Sequence, residues 1–388
     1  MHEGVKSVAL PTRLIGPAAV ARTMKIRPME AGSAYTKRLA KGCVQCRQGE
    51  KLVLLVTGEC GSGCYYCPIS EAKRGRDVVF ANEQRVSEEE DVLAEARAIG
   101  AKGTGITGGD PLTHPRRTCS QIKSLKKEFG SGHHVHLYTS TIDPRAYQSL
   151  ERCGLDELRI HPQARLWGSM ERSGLEQAVK GLRMEVGIEV PAIPGKEKEL
   201  ESLIRFADRA HLDFVNLNEL EFSETNAAAL KRRGFEVKDD VSAAVKGSEE
   251  LALRLLQLDV KIPLHYCSSS FKDSVQLRRR IMRRARRTAL PSDMVTDDGT
   301  LLKGVIETSE IDDAISMLND EFNVPTELIH RDEEKKRLEV APWVLQKISA
   351  ELPYDSFIVE EYPTADRLEV ERERLPRLGR TPVRKNRH

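Results

Sequence analysis

The stretch GECGSGCYYCPIS, Gly58 to Ser70, places Cys60, Cys64 and Cys67 in the spacing CxxxCxxC directly behind the apolar run KLVLLVTG (51–58). A closed structural zinc site takes four ligands, and zinc-ribbon cysteines come as one CxxC pair with a second pair downstream. Three thiolates do not complete such a site. On a cubane iron–sulfur cluster four cysteines make a finished electron carrier, whereas three leave one iron without a protein donor. An iron with an open position is a place for a substrate or a cofactor.

Outward from this loop the chain repeats one unit, a short apolar run followed by a segment of helical period, which is the pattern of parallel βα units. The further runs are GTGITGG (103–109), HVHLYTS (134–140), ELRIHP (157–162), GIEVPAI (187–193) and FVNLNEL (214–220). Helices are expected over 87–99, 115–129, 144–153, 174–185 and 197–210. Ser87 with Glu90 reads as a capping box, and Asp143 before Pro144 as an N-cap with proline at the first helical position.

Six such units with right-handed crossovers give an α/β fold, either a partial (βα)6 barrel like that of a TIM barrel or an open doubly wound sheet. In both, ligands bind at the C-terminal strand ends, where GEC, GGDP, TST, HPQ and NELE fall. Past Leu251 come a helix, a short strand KIPLHYC (261–267) and an arginine-rich helix. A small α+β appendage follows, with helices expected over 309–322 and 342–350. The domain reading is an N-terminal extension 1–50 carrying a CxxC pair, a barrel 51–289, an appendage 290–375, and a basic, disordered tail 376–388.

Bulk composition agrees with a soluble, charge-rich globular protein. Of 388 residues, 39% are hydrophobic and 31% charged, and no apolar run nears the length that spans a bilayer. No basic segment followed by an apolar core marks a secretory leader, so a cytoplasmic location is expected. Eight clustered cysteines in a chain this long suit metal binding in a reducing compartment better than a disulfide framework. Cys119 and Cys153, within expected helices and without partners at metal spacing, read as buried, inert thiols.

CxxxCxxC with an aromatic residue, Tyr66, before its last cysteine resembles the cluster loop of the radical S-adenosylmethionine (SAM) superfamily. A second motif agrees: GGDP, Gly108 to Pro111, resembles the GGE-type segment that binds the amino group of SAM. CPIS, TGGDPL, NLNELEF and HYCSSSFKD are similar to segments of long archaeal-type proteins related to pyruvate formate-lyase activating enzyme, over residues 40–290. The resemblance implies that Cys60, Cys64 and Cys67 hold a [4Fe-4S] cluster whose fourth iron is chelated by SAM. Reduction of the cluster then splits SAM into methionine and a 5′-deoxyadenosyl radical, which abstracts hydrogen from a substrate. An electron donor such as ferredoxin or flavodoxin is implied. Tyr66 and Ile193 would lie against adenine, and Gly108, Gly109, Asp110 and Pro111 against the methionine moiety. Thr139 and Ser140 would contact carboxylate or ribose, and Arg159 and His161 ribose, carboxylate or substrate. The acidic residue of the GGE-type segment is Asp110 here, one carbon shorter.

Two features fall outside that motif set. KGCVQC pairs Cys43 with Cys46, and HYC places His265 and Cys267 on one side of a strand. Together they are candidate ligands of a second centre, either zinc or an auxiliary iron–sulfur cluster. LRRRIMRRARR (277–287) carries seven arginines and no acid, together with Lys272 a field that would suit phosphates or acidic protein; the alternative is a solvated helix or one paired with the chain's own acids. Asn216, Asn218, Glu219 and Glu221 are substrate-contact candidates, of which strand alternation lets half face inward. The substrate classes left open are RNA, a protein or peptide, and a small metabolite. A different class of function is an iron–sulfur electron carrier or a zinc-stabilised nucleic-acid-binding protein without SAM chemistry.

Overall fold

A computed structural model describes residues 26–377; residues 1–25 and 378–388, half of the N-terminal extension and nearly all of the basic tail, lie outside the described residues. Seven parallel strands stand side by side in sequence order: β1 (Lys51–Leu55), β2 (Gly103–Thr107), β3 (His134–Thr139), β4 (Glu157–Ile160), β5 (Glu185–Ala192), β6 (Phe214–Glu219) and β7 (Leu264–Cys267). Sequential neighbours with helical crossovers make a partial barrel. KIPLHYC thus adds a seventh parallel strand to the six expected, pairing with β6 from Val215↔Leu264 to Asn218↔Cys267. The sheet does not close. β1 is flanked by the small antiparallel hairpin Phe80–Ala81/Gln84–Arg85, and β7 by the antiparallel pair Arg27–Pro28/Ala34–Tyr35.

The helices Glu89–Ala98, Pro115–Phe129, Pro144–Cys153 and Glu197–Arg209 match the helical periodicity of the sequence. Asp143 caps the third of these, accepting from the N–H groups of Arg145 and Ala146. Two expectations are corrected. The first helix is capped one residue later, with Asp91 accepting from the N–H groups of Ser87 and Glu88. The helix expected over 174–185 shrinks to Leu175–Val179, preceded by a 3-10 stretch Ala164–Ser173 that buries Trp167 and Met170; the chain leaves the helix through extended Lys180 and turns at Gly181, φ 83°. A third correction concerns Cys119 and Cys153. The helices Pro115–Phe129 and Pro144–Cys153 lie side by side and the two cysteines form a disulfide, Cα to Cα 5.6 Å. Helical period within one segment carries no information on which residues of two helices meet.

Strand alternation divides the sheet into unlike faces. One face, with Leu54, Ile106, Leu137, Ile160, Ile188 and Leu217, packs on the crossover helices and forms the main core. The other turns into the barrel and is polar: Lys51, His136, Arg159, Glu189, Asn216 and His265 are all buried there. The short helix Lys41–Arg47 plugs the N-terminal end of this lumen. Missing side chains let it enter. A Cβ on Gly42 of the plug would stand 2.6 Å from both Arg159 and His136, one on Gly105 would stand 2.7 Å from His136, and one on Gly103 would collide with Gln45 of the plug. The Gly42 N–H donates to Glu157 Oε2 at 3.0 Å.

The C-terminal unit is a six-stranded antiparallel sheet with helices Ile311–Asp320 and Pro342–Ile348 on its own small core. The arginine-rich helix Arg278–Thr288 joins it to the barrel, Arg284 reaching both Glu95 and the Pro363 carbonyl. Among the described residues no helix is long and apolar enough to cross a membrane.

Overpacking in a filled interior costs about 1–3 kcal/mol. Gly42→Ala is therefore expected to lower unfolding stability by about 2 kcal/mol in a urea titration; an unchanged midpoint would mean that the plug is not seated as described.

Candidate active site

The loop carrying Cys60, Cys64 and Cys67 leaves the C-terminal end of β1 and is clamped against the end of β2. Gly109 N–H donates to the Thr57 carbonyl (2.8 Å) and Asp110 N–H to the Glu59 carbonyl (2.7 Å). The two backbones approach so closely that a Cβ on Gly108 or Gly109 would strike the Thr57 or Glu59 carbonyl. That is the physical reason for GG in this motif. From the other side Asn226 donates to the Tyr66 carbonyl (3.1 Å) and Thr225 to the Cys67 carbonyl (3.3 Å).

A cavity of about 500 Å³ opens at these strand ends, lined by Cys60, Cys64, Cys67, Tyr66, Gly108 and Gly109 on one side. Thr139, Ser140 and His161 line its middle, and Asn218, Glu219, Glu221 and Lys272 its far wall. The three cysteines carry free thiols. Among the described residues no three His, Cys, Asp or Glu side chains are spaced for a single metal ion. Three free thiols opening on one cavity fit a cubane cluster that keeps one iron without a protein donor. The Ser62 N–H already points at Cys60 Sγ (3.3 Å), the kind of donor that tunes a cluster thiolate.

Several residues expected against SAM are placed otherwise. Asp110 is buried and its carboxylate is fully engaged. Oδ1 accepts from Leu112 N–H (3.0 Å) and Thr139 Oγ1 (2.7 Å), and Oδ2 from the N–H and hydroxyl groups of Ser140 and Thr141 at 2.8–3.1 Å. The Asp110 carboxylate thus faces the end of β3 and not the cavity. Gly108 and Gly109 line the cavity, whereas Asp110 and Pro111 do not. Ile193 packs in the core, and Pro191 lines the cavity in its stead. Tyr66 is buried with its hydroxyl donating to His161 Nε2 (3.0 Å), while His161 Nδ1–H donates to the Glu189 carbonyl (2.8 Å). His161 is thus a neutral brace between the cluster loop and β5, and burial lowers its pKa.

Arg159 faces inward but one layer too low to reach the cavity. It lies in the lumen below, forked between Glu157 (2.6 Å) and Glu189 (2.7 Å), with Tyr138 Oη at 3.1 Å and Cys43 Sγ at 3.4 Å. Burial alone would raise the pKa of Glu189; Arg159 and the amides of Asn216 and Asn218 outweigh it and hold it at about 2. Below the first cavity is a second one, of about 160 Å³, into which Cys43, Cys46, Cys267 and His265 all open. The two cavities share Tyr138, Glu189, Asn218 and Lys272 as a common wall. Glu189 and Tyr138 went unread as site residues in the sequence, although inward parity on their strands was a signal. Lys272, read there as part of a basic field, is turned toward Glu221 (2.9 Å) by a stretch of π-helix, Lys272–Leu277.

Much of the arginine-rich helix is engaged within the protein, while Arg286 and Arg287 are exposed and pair with no acid among the described residues. Arg279 pairs with Glu30, Arg280 with Glu83, Arg284 with Glu95 and Arg278 with Asp298, and Arg283 donates to the Gly100 carbonyl. Pairing with the chain's own groups accounts for five of the seven arginines, and the last two form a solvated end.

Hydrogen bonds to a charged acceptor are worth about 1.5–3 kcal/mol each. Asp110→Asn, which turns an acceptor into a donor facing Ser140 and Thr141, is expected to lower the stability of the SAM-free protein by about 3 kcal/mol. Unchanged stability with weakened SAM binding would instead return the carboxylate to the ligand.

Comparison with known proteins fits this geometry. Residues 54–165 match the radical SAM superfamily, and residues 299–375 match a domain of unknown function, DUF8061. A relative from Methanocaldococcus jannaschii, named "Putative glycyl-radical enzyme activating enzyme MJ0021", is 39% identical over 353 residues, covering 86% of this chain and 92% of its own. Among solved structures, Streptococcus suis SuiB bound to S-adenosylmethionine overlaps with a TM-score of 0.36 at 11% identity, over 56% of this chain and 50% of that one. SuiB bound to its precursor peptide SuiA gives 0.36 at 10%, over 56% and 48%, so this chain spans about half the length of SuiB. The chain belongs to the radical SAM superfamily, beside the relative named for activating a glycyl-radical enzyme.

Proposed function

We propose that the chain is an activating-type radical SAM enzyme whose substrate is a protein or peptide segment. The observation that carries the substrate class is the relative named as an activating enzyme, which aligns over nearly its whole length. When bound at Cys60, Cys64 and Cys67, a [4Fe-4S] cluster supplies the electron that cleaves SAM into methionine and a 5′-deoxyadenosyl radical. The protein's part is orientation and exclusion of water. Gly108 and Gly109 bring backbone next to the cluster loop, and Ser140, hydrogen-bonded to Ser62 (2.5 Å), ties the loop to β3. Tyr66 and His161 brace the floor beside it. The far wall, with Asn218, Glu219, Glu221 and Lys272, offers both donors and acceptors to peptide amides. The proposal includes a ferredoxin- or flavodoxin-type electron donor and a second metal centre on Cys43, Cys46, Cys267 and His265.

Anaerobically reconstituted protein with dithionite and SAM is expected to release 5′-deoxyadenosine, and Cys64→Ala to release none. A cluster-loaded wild type that leaves SAM intact would refute the enzyme reading. For the substrate class, a cell extract is separated into protein, RNA and small-molecule fractions. Stimulation of 5′-deoxyadenosine release by the protein fraction, with a stable protein-borne radical in electron paramagnetic resonance, is the expected result. Stimulation confined to the RNA or metabolite fraction would overturn it.

A further inference from the structure

Resting on the second-centre part of that proposal, we infer that the lumen cavity holds an iron–sulfur cluster rather than zinc, and that this cluster relays electrons to the one on the Cys60 loop. Three cysteines from two distant parts of the chain line one cavity. Cys43 and Cys46 come from successive turns of the plug helix, and Cys267 from the end of β7. All three are free. His265, two residues before Cys267 and facing the same cavity, is 4% exposed. Its Nδ1 meets Asn216 Oδ1 at 3.3 Å, whereas Nε2 is buried without a hydrogen-bond partner. Since Asn216 Oδ1 is an acceptor, Nδ1 carries the proton and Nε2 presents a lone pair, which is the orientation that outer partners impose on a metal-binding histidine. Burying that nitrogen with nothing to bind costs free energy that a ligand would offset.

The dimensions and the surroundings favour a cluster. A cavity of about 160 Å³ lined by Cys43, Cys46, Cys267 and His265 has the room a cluster needs, where a single ion would fill little of it. The sulfurs are met by N–H donors: Arg159 Nη2 and Asn216 Nδ2 each lie 3.4 Å from Cys43 Sγ, and Gln276 Nε2 3.8 Å from Cys267 Sγ. Hydrogen bonds to the sulfurs and nearby charge are what set a cluster's reduction potential. Lys272 and Arg159, each held by carboxylates of its own, line the same cavity and bring N–H donors to it.

Position suggests the role. The lumen cavity lies against the SAM cavity across Tyr138, Glu189, Asn218 and Lys272, a wall one side chain thick, and Cys46 is half-exposed at its outer end. A low-potential one-electron carrier protein would be oxidised by one electron as the lumen cluster is reduced by one. That cluster returns to its oxidised state as the Cys60-loop cluster gains the same electron; no bond or proton changes place.

The test separates this inference from the reading beneath it. The Cys60→Ala/Cys64→Ala/Cys67→Ala protein leaves the lumen untouched, so its folding is not at issue. After anaerobic reconstitution it is expected to hold about four irons and four sulfides per chain, lost on adding Cys43→Ser and Cys46→Ser. Zinc at that site would overturn the inference and keep a second metal centre; no metal would overturn both and leave SAM chemistry standing. For the relay, Cys43→Ser/Cys46→Ser protein that retains the Cys60-loop cluster is expected to lose on the order of tenfold in 5′-deoxyadenosine release with a flavodoxin as reductant, while keeping the dithionite-driven rate. Equal rates with flavodoxin before and after substitution, or equal loss with both reductants, would overturn the relay.

Discussion

The fork of Arg159 between Glu157 and Glu189 is the contact on which the interior depends. Three charges are removed from water at the centre of a half-barrel, and removing one partner of such a set costs about 3–5 kcal/mol because the remaining charge is left unpaired. The guanidinium satisfies both carboxylates and reaches Tyr138 and Cys43. Glu157 in turn accepts from the Gly42 N–H of the plug, and Glu189 from Asn216 and Asn218. The plug helix, four strands and the wall between two cavities are thereby held by one planar cation. Lysine, a point charge, would not span the same fork.

A polar lumen is unusual for parallel strands, which are commonly apolar on both faces. Here the outer face supplies the main core, so the inner face is released to carry charge, imidazole and thiol groups. The small residues Gly42, Gly103 and Gly105 give that arrangement room for a helix where side chains would otherwise fill a barrel. The same stacking sets the two cavities one above the other along the strands.

Local pattern made much of this legible. CxxxCxxC needs only its own loop, and the apolar runs with their capped helices needed only period and N-cap chemistry. What escaped was long-range. Whether Arg159 faced the upper cavity or the lumen depended on depth within β4, which parity does not encode. Asp110 looked like a ligand because the motif resembled one, yet its carboxylate faces Thr139, Ser140 and Thr141 instead. The pairing of Cys119 with Cys153 and the arginine contacts with Glu30, Glu83 and Glu95 each join segments whose meeting is set by tertiary packing. Cys43, Cys46, His265 and Cys267 were legible as a set only because cysteine pairs and strand alternation are themselves local signals.

The decisive measurement is electron–nuclear double resonance on the dithionite-reduced, full-length protein with SAM labelled at its amino nitrogen and carboxylate oxygen. If the Cys60, Cys64 and Cys67 loop leaves an iron open for SAM, both labels will couple strongly to the reduced cluster, and the coupling will vanish in Cys64→Ala. Fully reduced protein in which no cluster signal changes on adding SAM and none couples to either label would contradict it.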